Sequence, residues 1–222
     1  MWRLAIQAIT DSGYTPGKDV AIAYDFASSE LSGAYRDEFK QEDSVGMYYF
    51  WRSEEKSMMS REQMLDLFKE SLDKIPAVSF EDAFAEDDHE GWRLLMEELG
   101  DKAFVIGDDL VTTKDTAIEE CADKKLINTV LIKANQIGTL SETMLAMLVT
   151  MGKKLDIVVS HRSKSPNDDM EAQIALAVNA LGLKTGGGAN TERLFKYGAV
   201  TKIMKDIERS VQRKYTREDA SG

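Results

Sequence analysis

The stretch AFVIGDDLVTTKDTAIEECADKKLINTVLIK, residues 103–133, holds the pattern that decides the fold. Two apolar runs, residues 103–107 and 129–132, flank a segment with helical periodicity, and charged residues follow each run. Continuous apolar runs that alternate with helices are typical of a parallel sheet that is buried on both faces. The stretch therefore predicts a strand, a helix and a second strand, with charged side chains where the strands end.

The same unit recurs along the chain. Short apolar runs occupy residues 20–23, 77–80, 103–107, 129–132, 156–160 and 181–183. From the second run onward, their starts are 25 to 27 residues apart. Helical periodicity fills most of the intervals, at residues 61–72, 86–99, 115–124, 140–154 and 169–181. One strand and one helix per repeat predict an α/β domain built on a parallel sheet.

Composition limits the classes of function. The 222 residues include 43% hydrophobic and 30% charged side chains, which suits one globular domain with a substantial core. The net charge of -11 makes nucleic acid and anionic membranes poor partners. The longest uncharged run, residues 172–183, is too short to span a bilayer. The single cysteine, Cys121, permits no internal disulfide, so we expect a reducing, cytoplasmic location.

The long first interval contains a charged and aromatic segment, residues 35–52, whose densest part is Met47-Tyr48-Tyr49-Phe50-Trp51. Two interpretations stay open. The segment forms a small hairpin that packs its rings on the sheet, or it forms an aromatic platform for a ligand. We favour the hairpin, because large aromatic side chains gain most of their stabilisation from burial.

An ionisable residue follows every apolar run. In a parallel βα barrel, the active site lies at the carboxyl ends of the strands. Each residue alone has an ordinary explanation, such as a helix N-cap, a solvated loop acid or a lysine that reaches to solvent. Their recurrence at six successive strand ends favours one shared site, which comprises Asp25, Glu81-Asp82, Asp108-Asp109, Lys133, His161-Arg162 and Lys184.

Carboxylates that converge at one edge of a sheet repel one another unless a cation lies between them. An oxygen-only ligand set favours a hard ion, and Mg²⁺ suits a site that also holds a phosphorylated substrate. Which member of each acidic doublet points inward stays open, because successive strand residues face opposite sides.

Basic side chains complete the predicted site. Lys133 ends an apolar run, where desolvation and nearby cations favour its neutral form, so it is a candidate general base. His161, Arg162 and Ser163 are a candidate phosphate cradle, although a lone histidine is more often a core or cap residue.

The strand-end motifs resemble those of enolase, in that family's order and with close to its spacing. The resemblance extends to about Ile207, and residues 208–222 form a charged tail. It implies one domain over residues 1–222, an enolase-type TIM-like βα barrel that is incomplete, with about six of the family's eight strands. The motifs are Ala27-Ser28-Ser29-Glu30 after Asp25, Ser79-Phe80-Glu81-Asp82, Gly107-Asp108-Asp109-Leu110, Leu131-Ile132-Lys133-Ala134-Asn135-Gln136-Ile137-Gly138-Thr139-Leu140, Val158-Val159-Ser160-His161-Arg162-Ser163 and Leu183-Lys184-Thr185-Gly186.

The resemblance implies a role for each strand-end residue. Asp25, Glu81 and Asp108 match the magnesium ligands, and Glu81 and Asp108 thereby also face the substrate. Asp82 and Asp109 are left in supporting positions. Lys133 matches the base that removes the C2 proton of 2-phosphoglycerate. The remaining substrate contacts implied are Ser160, His161, Arg162, Ser163 and Lys184.

The implied reaction is the Mg²⁺-dependent interconversion of 2-phosphoglycerate and phosphoenolpyruvate in glycolysis. The resemblance implies a small phosphorylated substrate as the partner, with a homodimer in the full-length family member. Neither nucleic acid nor a membrane is an expected partner.

The sequence also departs from the family. Ala83 stands where the family has proline, and Lys164-Ser165 replaces the usual Gly-Glu. Residues 2–9 resemble the helix that precedes the family's third barrel strand, so no residue matches its proton-donating glutamate or its lid. We therefore expect a fragment with weak or no turnover by itself. The alternative is a non-catalytic enolase-like protein that serves binding or assembly.

Overall fold

A computed structural model describes residues 2–161 and 168–218 of the chain. Helices and strands alternate along most of its length, as the repeat predicts. The elements in chain order are α1 (Trp2–Asp11), β1 (Ile22–Asp25), α2 (Ser28–Phe39), β2 (Met47–Tyr49), β3 (Met58–Ser60), α3 (Arg61–Lys74), β4 (Ala77–Glu81), α4 (His89–Leu99), β5 (Phe104–Gly107), α5 (Asp115–Asp123), β6 (Thr129–Ile132), α6 (Ala134–Ile137), α7 (Leu140–Gly152), β7 (Asp156–Ser160), α8 (Met170–Ala177), β8 (Gly182–Lys184) and α9 (Thr191–Glu218).

Six strands form one parallel sheet in the order β1-β4-β5-β6-β7-β8, which is the half-barrel expected of an incomplete TIM-like barrel. The register brings predicted site residues side by side, since Asp25 pairs with Glu81 and Ser160 with Lys184. Lys184, on the last strand, also bonds Asp25 on the first strand through their side chains. The sheet must therefore curve strongly enough to bring its two outer strands within reach of each other.

The predicted strands at residues 129–132 and 156–160 coincide with β6 and β7. Other predicted boundaries were wrong by a few residues. We predicted helices through residues 154 and 181, but α7 and α8 end at Gly152 and Ala177. Lys154 and Asn179, just beyond these helix ends, take positive φ angles of 58° and 49°, which no α-helix accommodates.

The aromatic segment contributes one strand, β2, to a small hairpin of the kind we favoured, while its first residues, 35–39, belong to α2 and the second strand, β3, lies beyond it. Strands β2 and β3 pair antiparallel, and Tyr48 is fully buried with its ring 6.0 Å from that of Phe84. At the other end of the chain, α9 continues as helix to Glu218, so most of the charged tail that we predicted at residues 208–222 is helical. Within the described residues, no helix is both long and apolar enough to cross a membrane.

A buried carboxylate fixes the hairpin to the sheet. Asp88 is fully buried and caps α4 by accepting a hydrogen bond from the backbone N–H of Gly91. Its second oxygen accepts a 2.7 Å bond from the Tyr48 hydroxyl, and Arg61 Nε donates to the first at 2.7 Å. This one side chain therefore links the hairpin, α3 and α4, and its charge is compensated by a guanidinium.

We predict that Asp88→Ala lowers the free energy of unfolding by about 3–5 kcal/mol, because it leaves the partly buried Arg61 guanidinium without its carboxylate and the buried Tyr48 hydroxyl without an acceptor. The adjacent Asp87 provides the control, since it pairs with Arg36 while 41% exposed. Asp87→Ala is expected to cost less than about 1 kcal/mol. Urea denaturation of both variants measures the difference. Equal losses of unfolding free energy would show that the buried Asp88 stabilises the fold no more than the exposed Asp87 does.

Candidate active site

The predicted residues come together at the carboxyl edge of the sheet. The Lys184 ammonium lies between two carboxylates and donates to Asp25 Oδ2 at 2.7 Å and to Glu81 Oε1 at 2.6 Å. Burial lowers the pKa of Lys184, but its bonds to Asp25 and Glu81 outweigh burial and leave that pKa raised. Lys184 therefore stays cationic and neutralises part of the acidic charge.

Glu81 is the most buried member of this trio, at 5% exposed. Burial raises its pKa to about 7, although the Lys184 ammonium opposes that rise, and the charges of Asp25 and Asp108 add to it. Glu81 therefore interacts electrostatically with both of the other predicted ligands, Asp25 and Asp108.

Lys133 pairs with Asp108. The residue follows β6 and forms the N-cap position of α6, and its ammonium donates to Asp108 Oδ2. The other oxygen, Asp108 Oδ1, is buried and has no hydrogen-bond partner among the described residues. A buried carboxylate oxygen without a partner is costly, so this atom is prepared for a ligand such as a cation.

Asp82 supports Asp108 through a hydrogen bond, and the charges of Asp108 and Asp109 contribute to its raised pKa. It takes a positive φ of 43°, and its side chain accepts bonds from the backbone N–H groups of Asp108 and Asp109 at 2.9 and 3.0 Å. Burial raises the pKa of Asp82 to about 7, while these two backbone bonds oppose that rise. The carboxylate thus fixes the end of β5 and the direction of Asp108.

Thr113 supports Lys133 in a similar way, although we did not single it out from the sequence. The fully buried Thr113 hydroxyl accepts a 2.9 Å bond from the Lys133 backbone N–H and donates to Gln136 Oε1 at 3.1 Å. Thr112 and Thr113 both take positive φ angles, 47° and 58°, which are strained for β-branched residues. Two adjacent threonines after an acidic doublet were the available signal.

His161 lies beside β8. Its Nδ1 lies 2.9 Å from the Lys184 carbonyl, and its backbone N–H donates to the same oxygen at 3.0 Å. Because a carbonyl only accepts, Nδ1 carries the proton and Nε2 is left for another partner. The buried Ser160 hydroxyl donates to the His161 carbonyl at 2.9 Å. Arg162 and Ser163, the predicted phosphate contacts, lie outside the described residues.

The donor set fits a divalent cation. Oxygen atoms of Asp82, Asp108 and Asp109 lie within 4.8 Å of one another, so the tightest acidic group shares only Asp108 with the predicted ligands. Both Asp82 oxygens already accept backbone hydrogen bonds. The predicted ligands Asp25 and Glu81 instead accept hydrogen bonds from Lys184, and among the described residues they do not form such a group with Asp108.

A comparison with known protein families agrees with this geometry. The family model described as "Enolase, C-terminal TIM barrel domain" matches residues 2–220, which is nearly the whole chain.

The raised pKa of Glu81 predicts a pH-dependent stability. Between pH 4.5 and about 7 the folded chain keeps a proton that the unfolded chain releases, so the free energy of unfolding falls as pH rises through that window. The slope is at most about 1.4 kcal/mol per pH unit for one group. Glu81→Gln should therefore flatten the decline measured by urea denaturation in the presence of a chelator.

The exposed Glu86 gives the matched control. Glu86→Gln should leave the pH profile of the unsubstituted chain unchanged. A Glu81→Gln profile that parallels the parent between pH 5 and 7 would contradict the assignment of a proton to Glu81.

Proposed function

Because the chain belongs to the family of enolase C-terminal TIM barrel domains, we propose that it is an enolase-type hydro-lyase sequence. The reaction is the Mg²⁺-dependent interconversion of 2-phosphoglycerate and phosphoenolpyruvate, which places the protein in cytoplasmic glycolysis. One observation supports this most directly. Lys133, the proposed base, contacts a carboxylate whose other oxygen is buried and has no hydrogen-bond partner in the part of the chain that the structure describes.

Lys133 would remove the proton from C2 of the substrate. Its amine pairs with the Asp108 carboxylate in this structure, so it would have to leave that partner to reach the substrate. Engagement of the Asp108 carboxylate by a cation would weaken the contact and release the amine. Thr113 and Gln136 hold the backbone of Lys133 in place, so its amine would stay directed at the site.

Asp25, Glu81 and Asp108 would hold the metal. A bound Mg²⁺ would supply positive charge to the substrate carboxylate and stabilise the enolate that forms when C2 loses its proton. Asp82 would keep Asp108 directed at the site through its two backbone bonds. Lys184 would move from its carboxylate partners towards the substrate carboxylate, as the resemblance to the family implies.

The phosphate end would lie at the end of β7. Nε2 of His161 is available to accept or donate once the Lys184 carbonyl has fixed the ring. Arg162 and Ser163, by their match to the family motif, would bind the phosphate oxygens. Loss of the hydroxyl needs an acid on the other side of the substrate, and no residue in the sequence matches the family's acid.

The proposal separates proton removal from loss of hydroxide. We predict that the purified chain, with Mg²⁺ in D₂O, exchanges the C2 proton of 2-phosphoglycerate faster than it forms phosphoenolpyruvate. NMR follows the exchange, and ultraviolet absorbance follows the product. Lys133→Ala or a chelator should reduce exchange by at least about 100-fold, since general base catalysis contributes on the order of 10²–10⁴.

Lys102→Ala, which removes an exposed lysine just before β5, at the opposite end of that strand from Asp108, is the matched control and should exchange at the parental rate. Exchange that survives Lys133→Ala would refute the role of the base. If Mg²⁺ and substrate bind but no exchange occurs under any condition, the non-catalytic alternative of a binding or assembly protein would replace the proposed activity.

A further inference from the structure

A groove lies between α2 and the residues at the end of β2. Its volume of about 530 Å³ falls within the range of about 300–1,000 Å³ that is typical of ligand sites. We name it the α2 groove, and its walls are formed by Glu30, Asp37 and Glu38 of α2 and by Tyr49 and Trp51. None of these residues is among the predicted site residues at the carboxyl edge of the sheet, so the groove is a separate feature.

The α2 side of the groove is acidic. Glu30, Asp37 and Glu38 are exposed, and none of them forms an ion pair with a described residue. The neighbouring Arg36 is already paired with Asp87. No Lys or Arg is among the described residues that line the groove. A cleft lined by charge of one sign concentrates ligands of the opposite sign, so the groove favours a cation.

The opposite side of the groove is aromatic. Because successive strand residues face opposite sides, Tyr48 bonds the buried Asp88 while Tyr49 lines the groove. Tyr49 is only 8% exposed, and its hydroxyl has no hydrogen-bond partner in the described part of the chain. A largely buried hydroxyl without a partner is costly, so this oxygen is positioned to accept a hydrogen bond from a ligand.

Trp51 already contacts a guanidinium from its own chain. Arg52 Cζ lies 5.0 Å from the centre of the Trp51 ring, which is a cation–π contact. Trp51 lines the groove, and Arg52 is not among the described residues that do so. The ring therefore attracts planar cations and also presents part of its surface to the groove. A guanidinium suits such a site better than an ammonium, because it stacks on rings and donates to carboxylates with a rigid fork.

We propose that the α2 groove binds arginine side chains in a basic segment of another protein. One guanidinium lies against Trp51 and donates to the Asp37 and Glu38 carboxylates and to the Tyr49 hydroxyl. Glu30 is eight residues before Glu38, about 12 Å along a helix, so the acidic wall is longer than one guanidinium and fits a segment with two basic residues. The net charge of -11 attracts such a segment before contact.

Fluorescence anisotropy at low ionic strength tests the proposal with a labelled peptide that contains three arginines. The reference peptide carries citrulline in place of each arginine, which keeps the shape of the side chain and removes its charge. We expect saturable binding of the arginine peptide and at least about tenfold weaker binding of the citrulline peptide. Tyr49→Phe removes only the hydroxyl and should weaken the arginine peptide about threefold.

Two double variants with the same net charge separate the groove from general attraction. Asp37→Asn with Glu38→Gln should weaken the arginine peptide about tenfold. Glu54→Gln with Glu55→Gln removes two exposed acids outside the groove and should bind nearly like the parent. Equal losses in the two double variants would overturn the proposal, because they would assign the binding to net charge alone.

Gly33, which also lines the groove, allows a steric test. A Cβ at this helical position meets no atom within 4 Å, so both Gly33→Ala and Gly33→Leu should fold, and urea denaturation should find them at least as stable as the parent. Gly33→Leu fills the groove and should weaken the arginine peptide at least about tenfold, whereas Gly33→Ala should bind it like the parent. Undiminished binding by Gly33→Leu, equal binding of the citrulline peptide or no saturable binding by the parent would each overturn the proposal.

Discussion

The structure depends on how acidic charge is balanced at one edge of a curved parallel sheet. Asp25, Glu81 and Asp108 reach that edge from three consecutive strands of the sheet, and they pair with Lys133, which follows the adjacent β6, and with Lys184 on the outer strand β8. Lys184, on β8, bonds side chains on both β1 and β4. The sheet must curve for these ion pairs to form, so its curvature and the neutralisation of its acids depend on each other. The backbone repeat supplies the strands, and these ion pairs bring their ends to a common centre.

This arrangement stores unfavourable free energy at the site. Burial raises the pKa values of Glu81 and Asp82 to about 7, so the folded chain resists full ionisation of its own acids near neutral pH. The buried oxygen of Asp108 without a described partner adds to that cost. A divalent cation would relieve both, which is why a site that destabilises the fold by itself is consistent with a metal-dependent reaction.

Sequence periodicity located the six strands of the main sheet to within two residues, but it did not predict α2, β2 or β3. The apolar run 129–132 is buried on both faces and could only be a central strand, and Lys133 follows it for that reason. Other features depend on tertiary contacts that no local pattern encodes. The positive φ of Asp82, its bonds to two backbone N–H groups of the next strand, and the support of Lys133 by Thr113 all arise from chain segments 20 to 27 residues apart. The curvature that brings Lys184 to Asp25, 159 residues earlier, is likewise a property of the whole sheet.

The central claim is that this edge of the sheet is a site for a divalent cation centred on Asp108. Calorimetric titration of the chain with Mg²⁺ at pH 7.5, beside Asp108→Asn and the exposed control Asp101→Asn, tests it most directly. We predict saturable binding by the parent and the control, and a loss of affinity of at least about tenfold in Asp108→Asn. No binding by the parent, or equal binding by all three, would contradict the account.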